Sequence, residues 1–274
     1  MNLKQQVKNI LVKAFGLVGV HAEFSLKSSM SPNDGANSSL VTIDTKRLQS
    51  YASENSKIQL YKEGLSQAHA EFSDNFFKQC RFYSMQQLVQ YTLDKGLSAD
   101  YIECGCWKGQ STYMIAKILR ERGFSNSFHV FDSFEGLSDK QLEDVKGNES
   151  QSQEDIQKER EYFSATEEEF NNAVRDFAFI TTYKGWIPDR FSEVQDRKFA
   201  FAHIDVDLYQ PTRDCLEFIF PRLLLGGAIV VDDYGYSQFP GAKQAVDEFL
   251  AVNDCQLFYE MPLGSCFIIK SMQQ

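Results

Sequence analysis

The chain has 274 residues, a formal net charge of −10, and 43% hydrophobic and 14% aromatic residues. That length fits one large α/β domain with an appendage, and the apolar share can build a sizeable core. An acidic chain with no basic stripe to neutralise phosphates excludes nucleic acid as a partner, although not a nucleotide-like cofactor held by glycines and a carboxylate.

The first 22 residues combine early lysines with an apolar run from Ile10 to Val20. Lys13 interrupts the run, which falls short of the roughly 20 apolar residues that span a bilayer. Leu3, Val7, Ile10, Leu11, Phe15 and Val18 recur at helical spacing. This predicts an amphipathic helix packed on the domain or on a second subunit, hence a homo-oligomer; a helix lying on a membrane surface is the other reading. No transmembrane segment is expected. Residues 27–39 read as a polar linker, and residues 1–80 as an N-terminal helical extension ahead of a main domain over 81–274. The cysteines Cys80, Cys104, Cys106, Cys215, Cys255 and Cys266 are scattered. Cys104 and Cys106 are too close for an ordinary disulfide and have no second pair for zinc, so reduced thiols in a cytoplasmic protein are expected.

A helix is predicted from Ser84, as N-cap, to Leu97. A regular alternation follows. Tyr101–Glu103 is a strand, Gly105–Gly109 a turn, and Ser111–Arg122 a helix closed by Gly123. Further strands are Phe128–Asp132, Phe177–Tyr183, Phe199–Asp205 and Gly227–Val231. Helices are read over Thr212–Ile219 and Lys243–Val252, and Gln256–Glu260 and Ser265–Lys270 form a closing hairpin. The rhythm predicts a mostly parallel, doubly wound sheet, with the last strand antiparallel and slotted inside the edge. Residues 138–169 break the rhythm: they are charged, mostly acidic, and read as a solvated insertion or a lid over the site. Ser164–Glu167 reads as a capping box opening a helix through Val174.

Two features carry chemistry. Glu103-Cys104-Gly105-Cys106-Trp107-Lys108-Gly109 sets an acidic residue and G-x-x-x-G between a strand and a helix. It is neither a dinucleotide fingerprint nor a phosphate loop. Asp132, ending the next strand, is placed as a carboxylate that meets a ribose diol. Together they suit the adenosyl group of S-adenosylmethionine (SAM). The second feature is Asp205-Val206-Asp207 and Val231-Asp232-Asp233, each closing an apolar strand. Carboxylates are rarely buried unpaired, and an oxygen-only set points to a hard cation, Mg²⁺ above others.

These motifs, with Phe131-Asp132-Ser133-Phe134-Glu135-Gly136, Lys184-Gly185-Trp186 and His203–Tyr209, resemble the macrocin-type sugar O-methyltransferases from about Ser84 to Leu250. The resemblance implies the class I methyltransferase fold, a Rossmann-like seven-stranded sheet with a C-terminal antiparallel hairpin. It implies SAM- and metal-dependent methylation of a sugar hydroxyl on a small molecule or glycan precursor. It further implies SAM binding by Ser84, Met85, Glu103, Gly105, Gly109, Ser111, Asp132 and Ser133, and metal binding by Asp205, Asp232 and Asp233. Asp207 is the suggested general base, with His203 as alternative. The competing readings are a catechol or phenol O-methyltransferase, a D-x-D glycosyltransferase using Asp205-x-Asp207, and a non-catalytic SAM-binding protein.

Overall fold

The computed structural model describes residues 55–145, 151–261 and 264–271, together with two short strands nearer the N-terminus. Those strands, β1 (Ala22–Phe24) and β2 (Val41–Ile43), pair antiparallel within a first compact unit, Met1–Ile58. The amphipathic helix expected over Leu3–Val18 and the linker over 27–39 lie outside the described residues.

The second unit, Gln59–Gln274, carries the main sheet. It is led by helices α1 (Ser56–Gln67) and α2 (Phe76–Asp94). The start of α2 corrects the sequence reading. The Asn75 side chain accepts a hydrogen bond from the Lys78 amide at 2.9 Å and caps the helix nine residues before Ser84. Asn is as good a cap as Ser, and a side-chain acceptor for the orphan amides of the first turn decides where a helix begins. Ser84 sits inside the helix, its hydroxyl donating to the Cys80 carbonyl one turn back. Phe82, Met85 and Val89 face the core at helical spacing, and Gly96 in the left-handed region (φ +67°) follows the helix end. The helix therefore runs through the boundary drawn between residues 80 and 81.

The alternation continues with β3 (Asp100–Cys104), α3 (Gln110–Glu121), β4 (Phe128–Asp132), α4 (Leu142–Val145), α5 (Gln153–Tyr162), α6 (Glu167–Val174), β5 (Ile180–Lys184), β6 (Phe199–Ile204), α7 (Tyr209–Ile219), β7 (Leu223–Val231), α8 (Pro240–Leu250), β8 (Leu257–Glu260) and β9 (Cys266–Ile269); β5 starts later than expected at Phe177, β7 earlier than expected at Gly227, and α4 and α5 were not expected. The seven-stranded sheet has the order β5-β4-β3-β6-β7-β9-β8. Its first five strands are parallel, while β9 lies antiparallel between β7 and β8. This is the class I methyltransferase plan predicted from the alternation and the closing hairpin.

Side-chain alternation along the strands sends residues to two cores. Tyr101 and Phe201 join Phe82, Met114 and Phe170 on one face. Ile102, Ala202 and Ile229 join Leu216, Val246 and Ile268 on the other. Strand order reverses between β3 and β6, the place where open α/β sheets open a crevice at their carboxyl ends.

The 138–169 insertion is neither bare surface nor structureless. It holds α4 and α5, and it is tied down. Buried Asp144 accepts from the Tyr209 amide at 2.7 Å, capping α7 from outside, and a largely buried Lys140–Glu159 ion pair links the start of the insertion to α5. Gly136 has φ +79°, and a Cβ there would lie 2.1 Å from the Arg160 carbonyl, so α5 packs against the loop after β4. The capping box at the next helix is Thr166 with Glu169, not Ser164 with Glu167; Ser164 instead donates to the Glu161 carbonyl. Among the described residues no helix is long and apolar enough to cross a membrane.

Candidate active site

A cavity of about 580 Å³ lies over the carboxyl ends of the central strands. Backbone hydrogen bonds running past the strand ends build its floor. The Gly105 amide donates to the Phe131 carbonyl, Asp205 to Cys104, Asp232 to Ile204 and Gly185 to Asp132, all at 2.8–2.9 Å. The functional residues just beyond β3, β6 and β7 are thereby held side by side. Gly105 is required here: its φ is +81°, and a Cβ would meet the Asp205 carbonyl oxygen at 1.8 Å.

One half of the site is complete in itself. Asp132 Oδ2 accepts from the Cys106 and Trp107 amides at 2.7 and 2.9 Å, and Oδ1 accepts from the Phe134 amide at 2.7 Å. A carboxylate offers about four lone-pair positions, so one is left to face the cavity, which Asp132 lines together with Gly105, Ser111 and Ser133. These four SAM-binding expectations come together. The other four do not line the cavity. Ser84 and Met85 lie too far along α2, and Met85 is 1% exposed in the core. Gly109 packs against the Phe170 ring. Glu103 is fully buried, accepting from the Thr112 hydroxyl and bonded to His203 Nδ1 at 2.8 Å.

The other half is an unbalanced cluster of charge. Asp205, Asp207 and Asp233 each present an oxygen such that the three lie within 4.8 Å of one another. Asp232 turns to Arg81, which pairs with it at 2.9 Å and stacks 4.9 Å from the Tyr236 ring. Two unit charges 4 Å apart repel by about 4 kcal/mol at an effective dielectric of 20. Burial and mutual repulsion accordingly raise these carboxyls: Asp205 to about 6, through burial and then the Asp232 charge, and Asp207 and Asp233 well above their ordinary range. Asp207 is also held at φ +61°, a left-handed conformation that costs a non-glycine residue energy and clusters at functional sites. Buried Asp233 Oδ2 has no hydrogen-bond partner. A hard divalent cation with oxygen ligands fits this set, because it neutralises the repulsion and satisfies the orphaned oxygen.

His203 shares the strand-end sequence but not the cavity. It is fully buried behind the floor, edge-on to Phe82. Burial lowers its pKa, but the Glu103 hydrogen bond and charge outweigh this and bring it to about 9. Its place is structural, holding β6 to β3. The cavity residues missed by the sequence reading include Lys78 and Arg81 on α2, and Gln110 at the start of α3. The Asn75 cap was the available signal, since it puts Lys78 and Arg81 one turn apart on one face of α2.

Over residues 6–258 the chain matches the family described as Macrocin-O-methyltransferase (TylF). It is 27% identical over 179 residues to demethyldecarbamoylnovobiocin O-methyltransferase of Streptomyces niveus, covering 64% of this chain and 66% of that one. It is 29% identical over 159 residues to 8-demethyl-8-(2,3-dimethoxy-alpha-L-rhamnosyl)-tetracenomycin-C 4'-O-methyltransferase of Streptomyces olivaceus, covering 56% and 60%. The chain thus spans about two thirds or less of the length of these two relatives. The structure of the O-methyltransferase NovP aligns over 78% of this chain and 98% of its own with a TM-score of 0.62 at 21% identity, which establishes the shared fold. With a family match that runs through the glycine turn and both aspartate clusters, the chain belongs to the macrocin O-methyltransferase family, on the class I fold of SAM-dependent methyltransferases.

Proposed function

We propose that this protein transfers the methyl group of SAM to a hydroxyl of a sugar moiety on a small molecule or glycan precursor, with Mg²⁺ at the aspartate cluster. The observation that carries this reading is one cavity joining two walls: the glycine turn braced by Asp132, and the carboxylates of half-buried Asp205 and buried Asp207 and Asp233. The chemistry needs both. Methyl transfer from a sulfonium is an in-line displacement, so donor and acceptor oxygen must be held opposite each other. Gly105 lets the backbone approach the donor, and Asp132 keeps the turn in place. Asp205 and Asp233 serve as ligands, with a third oxygen from Asp207 as the side chains stand or from Asp232 once Arg81 releases it. Bound there, a divalent cation lowers the pKa of a sugar hydroxyl and fixes its oxygen. Asp207, whose carboxyl burial holds well above the ordinary carboxylate range, is suited to take the proton.

The relative from Streptomyces olivaceus carries a name with a rhamnosyl-bearing acceptor methylated at a 4'-oxygen, which supports a sugar over a catechol or phenol acceptor. Nothing favours a glycosyltransferase, since the D-x-D spacing occurs beside an adenosyl-type wall. We further take residues 1–80 as an extension to the methyltransferase domain, and the protein as a cytoplasmic homo-oligomer. Support comes from the six cysteines, none of them in a disulfide among the described residues, and the helical periodicity of the first residues. Calorimetric titration with S-adenosylhomocysteine, with and without Mg²⁺, followed by a screen of sugar and catechol acceptors, tests the proposal. Binding of the homocysteine and methylation of a sugar are expected. Binding of UDP-sugar with Mn²⁺ instead would overturn it.

A further inference from the structure

Arg81 touches the aspartate cluster without belonging to it. Its side chain, on α2, is 11% exposed; Nη1 meets Asp232 Oδ2 at 2.9 Å and the Asp232 carbonyl at 3.4 Å. Its Nε is buried without an acceptor, and its guanidinium lies 4.9 Å from the centre of the Tyr236 ring. Lys78 and Arg81 are the cations among the described residues that line the cavity, and Lys78 donates to Ser73 Oγ at 2.7 Å. Arg81 is therefore the protein's own cation at the carboxylate end of the site.

Backbone and side chain assign Asp232 differently. The register of β6 and β7 pairs Ile204 with Val231, so Asp205 and Asp232 leave the sheet side by side. The Asp232 amide donates to the Ile204 carbonyl, as the Asp205 amide does to that of Cys104. By its backbone Asp232 thus belongs beside Asp205. Yet the oxygens gathered within 4.8 Å of one another come from Asp205, Asp207 and Asp233, while Asp232 Oδ2 goes to Arg81. A turn of one side chain separates the two arrangements.

Two cations contend for that carboxylate. A divalent ion brings two charges to about 2.1 Å from a ligand oxygen; the guanidinium brings one charge at 2.9 Å. The ion and the guanidinium also repel each other, and salt screens buried charges poorly.

We propose that Arg81 is a built-in rival of the divalent cation: it holds Asp232 out of the cluster, and Asp232 changes partner from Arg81 to the ion as the ion binds. The inference rests on the metal reading above and deepens it, because it makes Arg81 the residue that sets how tightly the cation is held. Arg81 acts through Asp232 and is a positioning residue. Released from Asp232, its guanidinium keeps its place over the Tyr236 ring.

The test is a double-mutant cycle read by calorimetric titration of Mg²⁺ into the full chain at pH 8. Arg81→Met is expected to tighten Mg²⁺ binding about tenfold, within the usual span of coupling between sites. Asp232→Asn is expected to weaken it by about tenfold or more. In the Asp232→Asn background, Arg81→Met is expected to change the affinity by less than about twofold, because the contested carboxylate is gone. A guanidinium that only repels the ion through space tightens binding in both backgrounds, so equal tightening overturns the proposal. Unchanged or weaker binding in Arg81→Met overturns it too, as does unchanged binding in Asp232→Asn. A cooperative thermal transition reports that each variant is folded. Should a variant fail to fold, the wild type decides. The guanidinium NMR signal of Arg81, assigned with Arg81→Lys, is expected to lose the slow rotation of a paired group when Mg²⁺ saturates, and a signal that stays as it was overturns the proposal. Absence of Mg²⁺ binding in the wild type and in Arg81→Met alike is a different result, and it removes the metal reading itself.

Discussion

The two halves of the cavity are built on opposite electrostatic terms. At the ends of β3 and β4, the Asp132 charge is taken up by three backbone amides, two in the turn after β3 and one in the loop after β4. That half needs nothing from outside to hold its shape. At the ends of β6 and β7, three carboxylates face one another and a fourth is neutralised by Arg81. That half is strained without a cation. The difference shows how one crevice can be preformed for a neutral or cationic donor and yet remain poised for a metal: shape comes from hydrogen bonds that close locally, and affinity from charge that does not.

The largest effect is expected on the open half. Asp205→Asn removes a central charge of the cluster, and roughly a 10³-fold loss of methyl transfer and of Mg²⁺ affinity is expected, with S-adenosylhomocysteine binding unchanged. Loss of homocysteine affinity with metal affinity intact would reverse the assignment of the two halves. Next comes the contact that joins them. Gly105→Ala forces a methyl onto the Asp205 carbonyl from a left-handed residue, and about 2–4 kcal/mol of destabilisation is expected in chemical denaturation. An unchanged midpoint would mean the turn can move away from β6. On the closed half, Asp132→Asn keeps one acceptor oxygen and sets an amide N–H donor against a backbone N–H at the other position, and is expected to weaken homocysteine binding about tenfold, with Mg²⁺ affinity preserved.

The smallest effect is a pH dependence, and its sign separates the halves most cleanly. The folded pKa of Asp205 is raised to about 6, above the ordinary value of about 3.9. Between those values the folded state holds the proton that the unfolded state has released. Stability of the cation-free protein therefore falls as pH rises through that window, and Asp207 and Asp233, raised further, extend the fall upward. Mg²⁺ competes with those protons, so its stabilising shift of Tm should be larger at pH 8 than at pH 5.5. A shift that shrinks with rising pH places the cation elsewhere.

Much of this was legible in the chain. Strands β3, β4 and β6 lie within a residue of where apolar runs and glycines put them, because buried parallel strands must be apolar throughout and turns must be glycine where φ is positive. The helices of the insertion were not legible. Their sequence is charged, and they are held by capping boxes and by Asp144 reaching Tyr209, a partner 65 residues away. The start of α2 was misplaced because Ser84 and Asn75 are equally good caps in isolation. Burial of Phe82, inside the earlier turn, tips the choice.

The sequence by itself determined the alternation of strands and helices, the family and the two chemical clusters, since each depends on local residue type and spacing. Tertiary structure alone decided which charges meet. Glu103 and His203 stand 100 residues apart and close on each other inside the core, which withdraws both from the cavity. Arg81 and Asp232 are 151 residues apart, and their contact sets Asp232 aside from the cluster that Asp207 joins. Long-range pairing of polar groups follows from packing two elements against one sheet, and no local pattern in the chain encodes it.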